Sequence, residues 1–272
     1  VIDTHCHLTF PELRPRVDEL MALAARHGVR GAITISTTTF DCLDALALAR
    51  SRSDVWSTAG VHPLHADPRP QREDGRGGTE HHEWANLLRC INDERCVAWG
   101  ELGLDNHYPD PPKDLQHEAL AHQLAMIQQH DRDGGKAKPV VLHCREAFDE
   151  LIPILKRTSI DPGRFVFHCF TAGPREMRAV LDFGACVSFT GVLTYRNADE
   201  VRQAAALVPV GRVMVETDAP FLSPEPERRE RPCHPAMTRH TLDQLARARG
   251  VTYGAMHEEV NATTRRFLGV GV

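Results

Sequence analysis

The sequence predicts an α/β protein, a (β/α)8 TIM barrel with an extra C-terminal helix, on three observations. Eight short apolar, β-branched runs recur along the chain. Stretches with helical spacing separate them, and strict strand–helix alternation implies parallel pairing with right-handed crossovers. Five of the runs close on His, Glu or Asp: VIDTHCHL (1–8), WGELGLD (99–105), VVLHCRE (140–146), FVFHCFT (165–171) and VMVETDAP (213–220). Scattered strand ends meet at one point only if the strands lie side by side and parallel, and the C-terminal rim of such a barrel is where its chemistry sits.

The strands are predicted at 1–8, 31–37, 55–62, 96–105, 138–145, 164–171, 185–191 and 212–219. Each is dense in Val, Ile and aromatic residues, as strands buried on both faces require. Helices are predicted at 18–26, ending near Gly28, and at 43–50, 114–129, 148–155, 175–183, 199–207 and 237–249. A last helix over 255–268 is expected to pack across the barrel. No composition shift marks a boundary, so residues 1–272 read as one domain. Residues 66–82 (ADPRPQREDGRGGTEHH) are rich in Pro, Gly and charge, and predict a mobile loop above the site. A second loop, 224–235, carries Arg228, Arg229 and Arg231.

Apolar residues make up 42% of the chain, enough for a large core, yet no run approaches the ~20 apolar residues of a membrane span. The sequence starts in a strand-like segment without a charged leader, so a cytoplasmic protein without a membrane or an obligate protein partner is expected. Net charge is −5, which excludes general attraction to polyanions. Contact with nucleic acid then needs local arginines, a bound metal or helix N-termini. None of the eight cysteines forms a CxxC pair, so zinc-ribbon and thioredoxin chemistry find no support. Cys6, Cys144 and Cys169 each follow a candidate His. Strand alternation turns them outward, under the helices, as small hydrophobes rather than ligands.

His5 and His7 are two apart, so on a strand both face one side, and Asp3 shares their parity one step deeper. An HxH pair alone is weak evidence. It gains weight because Glu101, His143, His168 and Asp218 also stand at predicted strand ends. Taken singly, each has a structural explanation: a satisfied core histidine, an ion-pair partner, a turn former before Ala-Pro. Taken together they predict a metal site, in which a carboxylate can bridge two ions. Imidazole and carboxylate suit Zn²⁺, Mn²⁺ or Mg²⁺. His62, closing GVHP, is a candidate substrate or leaving-group contact. Arg145 shares parity with His143 and would hold a phosphate or carboxylate, or else pair with a buried acid such as Glu216. His65, His81, His82, His107, His117, His122 and His130 read as surface residues.

The stretches DTHCHL, GVHP, GELGLD, LHCREA, HCFT and ETDAP, in this order across residues 3–220, resemble the TatD-type metal-dependent deoxyribonucleases of the amidohydrolase-like superfamily. The resemblance implies a TIM barrel with two divalent ions that hydrolyses DNA phosphodiester bonds, often as a 3′→5′ exonuclease on single-stranded ends. It implies that His5, His7, Glu101 and Asp218 hold one ion, and Glu101, His143 and His168 the other. One departure stands out. Where the family carries an Asn-Glu-Pro-like element after ETDAP, this chain has Arg231-Pro-Cys-His-Pro235. The 66–82 loop is also longer and more charged than is usual there, which bears on substrate choice.

The expected mechanism is attack by water activated between two ions, with Asp218 and Glu101 as catalytic carboxylates. Arg145 and the loop arginines would steer a backbone whose sequence hardly matters, since phosphate contacts carry no base information. The rival reading is an ester or amide hydrolase on the same barrel, such as an aminoacyl-tRNA deacylase. Amidohydrolase relatives often bridge their ions with a carbamylated Lys on strand four; here that strand offers Glu101, which favours the nuclease branch.

Overall fold

The computed structural model describes residues 1–67 and 82–271. The strands are β1 (Ile2–Cys6), β2 (Gly31–Thr34), β3 (Val55–Ala59), β4 (Cys96–Asp105), β5 (Val140–Arg145), β6 (Phe165–Phe167), β7 (Cys186–Phe189) and β8 (Val213–Val215). They pair in parallel, in sequence order, in one eight-stranded sheet. The sheet closes on itself: Asp218 N donates to His5 O at 2.9 Å and His7 N to Ala219 O at 2.7 Å, while Thr4 Oγ1 donates to Val215 O at 3.0 Å. This is the expected (β/α)8 barrel.

The surrounding helices are α1 (Val17–Arg26), α2 (Asp41–Ser51), α3 (Trp84–Ile91), α4 (Lys113–Arg132), α5 (Phe148–Leu155), α6 (Pro174–Phe183), α7 (Asp199–Leu207) and α8 (Thr238–Arg249), followed by α9 (Tyr253–Leu268). Their boundaries follow local chemistry. At the start of α6, Glu176 Oε2 accepts from Gly173 N at 3.2 Å, Pro174 fills the first helical position, and Gly184 ends the helix at φ +106. The N-terminus of α9 is capped by Thr252, whose Oγ1 accepts from Ala255 N at 3.2 Å. The predicted helices 148–155 and 199–207 match α5 and α7; the others shift by one to three residues. Helix α3 was not predicted, although Trp84, Leu87, Leu88 and Ile91 carry helical spacing.

Two apolar layers hold the barrel. Outside the strands, Trp99, Leu102, Leu142, Phe165, Phe167 and Phe189 pack against the inner faces of the helices. Inside, Ile2, Ile33, Val97, Val141, Val166 and Met214 fill the lower half. Leu268 and Val270, at and beyond the end of α9, join that inner cluster. The extra helix thus seals one end of the barrel and leaves the opposite rim for chemistry. Among the described residues no helix is long and apolar enough to cross a membrane. Of the predicted 66–82 loop, residues 68–81, with His81, lie outside the described residues.

Candidate metal centre

Six strands and the segments just beyond them bring polar side chains to one rim. His5 is on β1, Glu101 on β4 and His143 on β5, while His7, His62, His168 and Asp218 lie just past the ends of β1, β3, β6 and β8. All strands but β4 are shorter than predicted, and just past β6 and β8 the backbone leaves the extended form, Cys169 and Asp218 taking φ +46 and +58. Two glycines make room for Glu101. A Cβ on Gly60 would lie 2.4 Å from Gly100 Cα, and one on Gly103 (φ +149) would lie 1.9 Å from His143 O, so β3, β4 and β5 come together only with glycine there.

Glu101 is the hub. Its Oε1 lies 2.6 Å from His168 Nε2, 2.9 Å from His143 Nδ1 and 3.4 Å from His62 Nε2. Its Oε2 lies 3.2 Å from His5 Nε2. Asp218 Oδ1 lies 3.4 Å from His7 Nε2 and 3.6 Å from His5 Nε2. The rings of His5 and His168 stack at 3.8 Å and 7°. Among the described residues three sets have ligating atoms mutually within 4.8 Å: His5, His168 and Asp218; His5, His7 and Glu101; His62, Glu101 and His143.

The outer ring nitrogens decide what the inner ones can do. His143 Nε2 faces Asp105 Oδ2 at 2.9 Å, His168 Nδ1 faces Glu216 Oε1 at 3.2 Å, and His7 Nδ1 faces Ile35 O at 3.3 Å. Carboxylates and carbonyls only accept, so each of these outer nitrogens carries the hydrogen. In the neutral ring the inner nitrogen is then a bare lone pair. These inner nitrogens face carboxylate oxygens of Glu101 and Asp218, an arrangement that calls for positive charge between them, supplied by a ring proton or by a bound cation. His5 adds to the case: it is fully buried and neither ring nitrogen finds a hydrogen bond. Buried polar groups without partners are rare and need an explanation. Bare imidazoles with shared carboxylates are the donor set of Zn²⁺ and Mn²⁺ sites, each histidine oriented from behind by an acceptor. The residues present therefore fit divalent ions.

The electrostatics agree. Burial alone would raise the Glu101 pKa, but His168, His62 and His5 hold it well below the usual range. Burial likewise works against a charged His168, and Glu101 with Glu216 pushes its pKa well above the ordinary value. Asp218 is held down against burial by His7 and His5. The pocket is thus a strongly coupled set of buried anions that stabilises positive charge.

Several sequence expectations meet corrections. Asp3, one step deeper than His5, belongs to none of the candidate ligand sets, and the β1–β2 register shifts between Asp3 and Cys6. Its carboxylate instead takes Thr217 N at 2.9 Å, Thr217 Oγ1 at 2.5 Å and His5 N at 3.3 Å, tying β1 to the segment after β8. Arg145 does not pair with Glu216; its guanidinium lies 5.1 Å from the Tyr108 ring centroid at the rim. Glu216 is occupied by His168, Cys169 N (2.7 Å) and Ser188 Oγ (2.5 Å). His65 is half-buried with an unpartnered Nδ1, and His130 is buried edge-on against Trp99, so neither is a solvated surface residue. His82 and His117 are half-buried too, bound to Ala66 O and Glu150. His107 and His122 are exposed, as predicted. Cys6 packs with Leu20 and Met21 and Cys144 against the outer core, whereas Cys169, beyond its strand, sits by Thr190 Oγ1 at 3.6 Å. Asp105 and Glu216 were missed as orienting acids. The signal was parity with Glu101 and Asp218, two positions apart or a multiple of two. In the departing segment, Cys233 is fully buried, with N bound to Pro220 O at 3.0 Å, and neither it nor His234 belongs to a ligand set.

Residues 2–269 match the model of the family described as TatD related DNase. The chain is 33% identical over 270 residues to the uncharacterized metal-dependent hydrolase YcfH of Escherichia coli K12, covering 98% of this chain and 94% of that one. It is 33% identical over 280 residues to the 3′-5′ ssDNA/RNA exonuclease TatD of Erwinia tasmaniensis, covering 99% and 100%. Among solved structures it superposes on YjjV, a TatD homolog from Escherichia coli K12, with a TM-score of 0.84, 26% identity and coverage of 99% and 98%. With this fold and a rim suited to divalent ions, the chain belongs to the TatD related DNase family and is a metal-dependent hydrolase.

Proposed function

We propose that the protein hydrolyses DNA phosphodiester bonds with two divalent ions, Mg²⁺, Mn²⁺ or Zn²⁺, as a 3′→5′ exodeoxyribonuclease acting on single-stranded ends. The observation that carries this reading is the Glu101 carboxylate ringed by imidazole nitrogens, with His168 Nε2 at 2.6 Å and His143 Nδ1 at 2.9 Å, each ring held from behind by a carboxylate. In this reading His5, His7, Glu101 and Asp218 hold one ion, and Glu101, His143 and His168 the other. Bound ions of this kind lower the pKa of water and offset charge on a phosphoryl group.

The chain's own residues supply the rest. Asp218 is the most open of the carboxylates, with 17% of its side chain exposed against 2% for Glu101, so it can take a proton from attacking water. His62 has a defined polarity: Nδ1 accepts from Leu64 N at 3.0 Å, so the neutral ring carries its hydrogen on Nε2. Burial holds its pKa down at about 4, which keeps the ring neutral near pH 7. That N–H faces His143 Nδ1 at 3.0 Å and Glu101 Oε1 at 3.4 Å, and with an ion on His143 it would be the donor for a phosphoryl oxygen or leaving group. Arg145, held over Tyr108, places a cation at the rim for a backbone phosphate. The exonuclease name of the Erwinia relative supports this substrate class.

The test compares kcat/KM, with Mn²⁺ present, for a single-stranded oligonucleotide, bis-p-nitrophenyl phosphate, carboxylic esters, amides and aminoacyl-tRNA. The proposal expects phosphodiesters to lead by at least about tenfold, a difference of ~1.4 kcal/mol in transition-state stabilisation. Faster turnover of the aminoacyl ester or an amide would replace it with the acyl-hydrolase reading.

A further inference from the structure

Phe221 is a large apolar side chain left 46% exposed beside a buried, charged rim. It follows Asp218 by one turn, and its N donates to Asp218 O at 2.9 Å. Its ring lies 6.3 Å from that of Phe10, at 80°, and 6.4 Å from that of His7, at 65°. Phe10 stacks on His7 at 4.5 Å and 21°. These rings form an aromatic wall that runs from a candidate metal ligand out to solvent, on the β8–β1 side of the barrel. Tyr108 is also an exposed ring at the rim, but Arg145 lies over it.

We infer that the Phe10–Phe221 wall is a stacking subsite for a nucleobase next to the phosphate being cleaved, an inference that rests on the proposed nuclease function. The chemistry of the place selects a planar ligand. A ring standing beside this rim can cover a flat aromatic face while the attached phosphate reaches the ions that Asp218 and Glu101 would hold. Single-stranded nucleic acid supplies that pairing at every nucleotide, and stacking on phenylalanine tolerates any base. Paired bases stay stacked within a duplex and are not free to lie on the wall, so the subsite also accounts for a preference for single strands. Because Phe10 is already packed on His7, Phe221 is the ring with surface to offer.

The test is binding, measured by fluorescence anisotropy on the full chain with Mn²⁺ and with turnover blocked by Asp218→Asn. Short 5′-labelled single-stranded oligonucleotides are compared with versions lacking the base at either of the two 3′-terminal nucleotides. Phe221→Ala should weaken binding of the intact oligonucleotide about 5- to 150-fold, the range given by ~1–3 kcal/mol per stacked base. It should leave unchanged the affinity for one of the two abasic versions, and Phe221→Trp should restore tight binding. Equal weakening of intact and abasic oligonucleotides, or no binding of single strands at all, would overturn the inference. Strand cleavage by the protein with Asp218 intact is scored separately. DNA that binds through Phe221 but is never cut would refute the nuclease reading and leave the stacking subsite standing.

Discussion

Asp105→Asn replaces one oxygen with an NH₂ group and should weaken the binding of an ion that Asp105 itself would not hold. Asp105 Oδ2 lies 2.9 Å from His143 Nε2, and Oδ1 accepts from His107 N at 2.9 Å and Tyr108 N at 3.1 Å. The two backbone bonds pin one edge of the side chain, so the asparagine must keep its carbonyl there and turn its NH₂ toward His143. Nε2 of His143 then has to accept, and the hydrogen moves to Nδ1, the nitrogen that faces Glu101 at 2.9 Å. That lone pair is the one assigned to an ion. Loss of such an orienting acid costs about 10- to 100-fold in metal affinity, or ~1.4–2.7 kcal/mol. Calorimetric titration of metal-free protein with Mn²⁺ should show the weaker of two binding events reduced by that factor, the other holding within about twofold. Circular dichroism should match the parent protein. Nitrogen NMR should report the His143 tautomer exchanged. Unchanged affinity together with an unchanged tautomer would refute the reasoning.

Three further outcomes are expected. Asp218→Asn should lower nuclease turnover by at least about 10²-fold while the thermal transition stays cooperative, since a general base contributes about 10²–10⁴; activity near that of the parent protein would remove Asp218 from the mechanism. Gly103→Ala should destabilise the barrel by about 2–4 kcal/mol in urea unfolding, because the new Cβ would meet His143 O and the φ is one only glycine adopts readily; a loss under 0.5 kcal/mol would show that β4 and β5 can part without cost. Chelation should abolish hydrolysis and lower the melting temperature, with both restored by Mn²⁺, because ions bound only to the folded state stabilise it by RT ln(1 + [L]/Kd); a melting temperature indifferent to chelator would contradict ion binding at the rim.

How much of this could be read from residues alone depends on how local the cause is. The run of residues 96–105 could be read as a strand to its last residue because it is buried along its whole length and mostly apolar. The candidate ligands could be picked out because, apart from Glu101 within β4, they lie at or just past the ends of such runs. Asp3 was visible one step below the HxH pair, but its task of accepting from Thr217 was not, because it depends on where β1 meets the segment after β8. That meeting joins residues over two hundred positions apart, which no window of sequence contains. Helix α3 was hidden by the Pro- and Gly-rich run before it, although its own spacing was regular. His130 carries no apolar signature, yet it is buried because Trp99 packs against it and its Nε2 meets Asn92 Oδ1 at 3.1 Å. Asp105 and Glu216 were visible as acids, but their task as acceptors behind His143 and His168 appears only when strands are placed side by side.

The most direct test is hydrolysis of a 5′-end-labelled single-stranded DNA oligonucleotide with Mg²⁺, Mn²⁺ or EDTA. The account predicts a ladder shortened from the 3′ end, dependent on metal and abolished by EDTA. Intact DNA under every condition, from protein shown to bind two ions, would contradict the nuclease assignment.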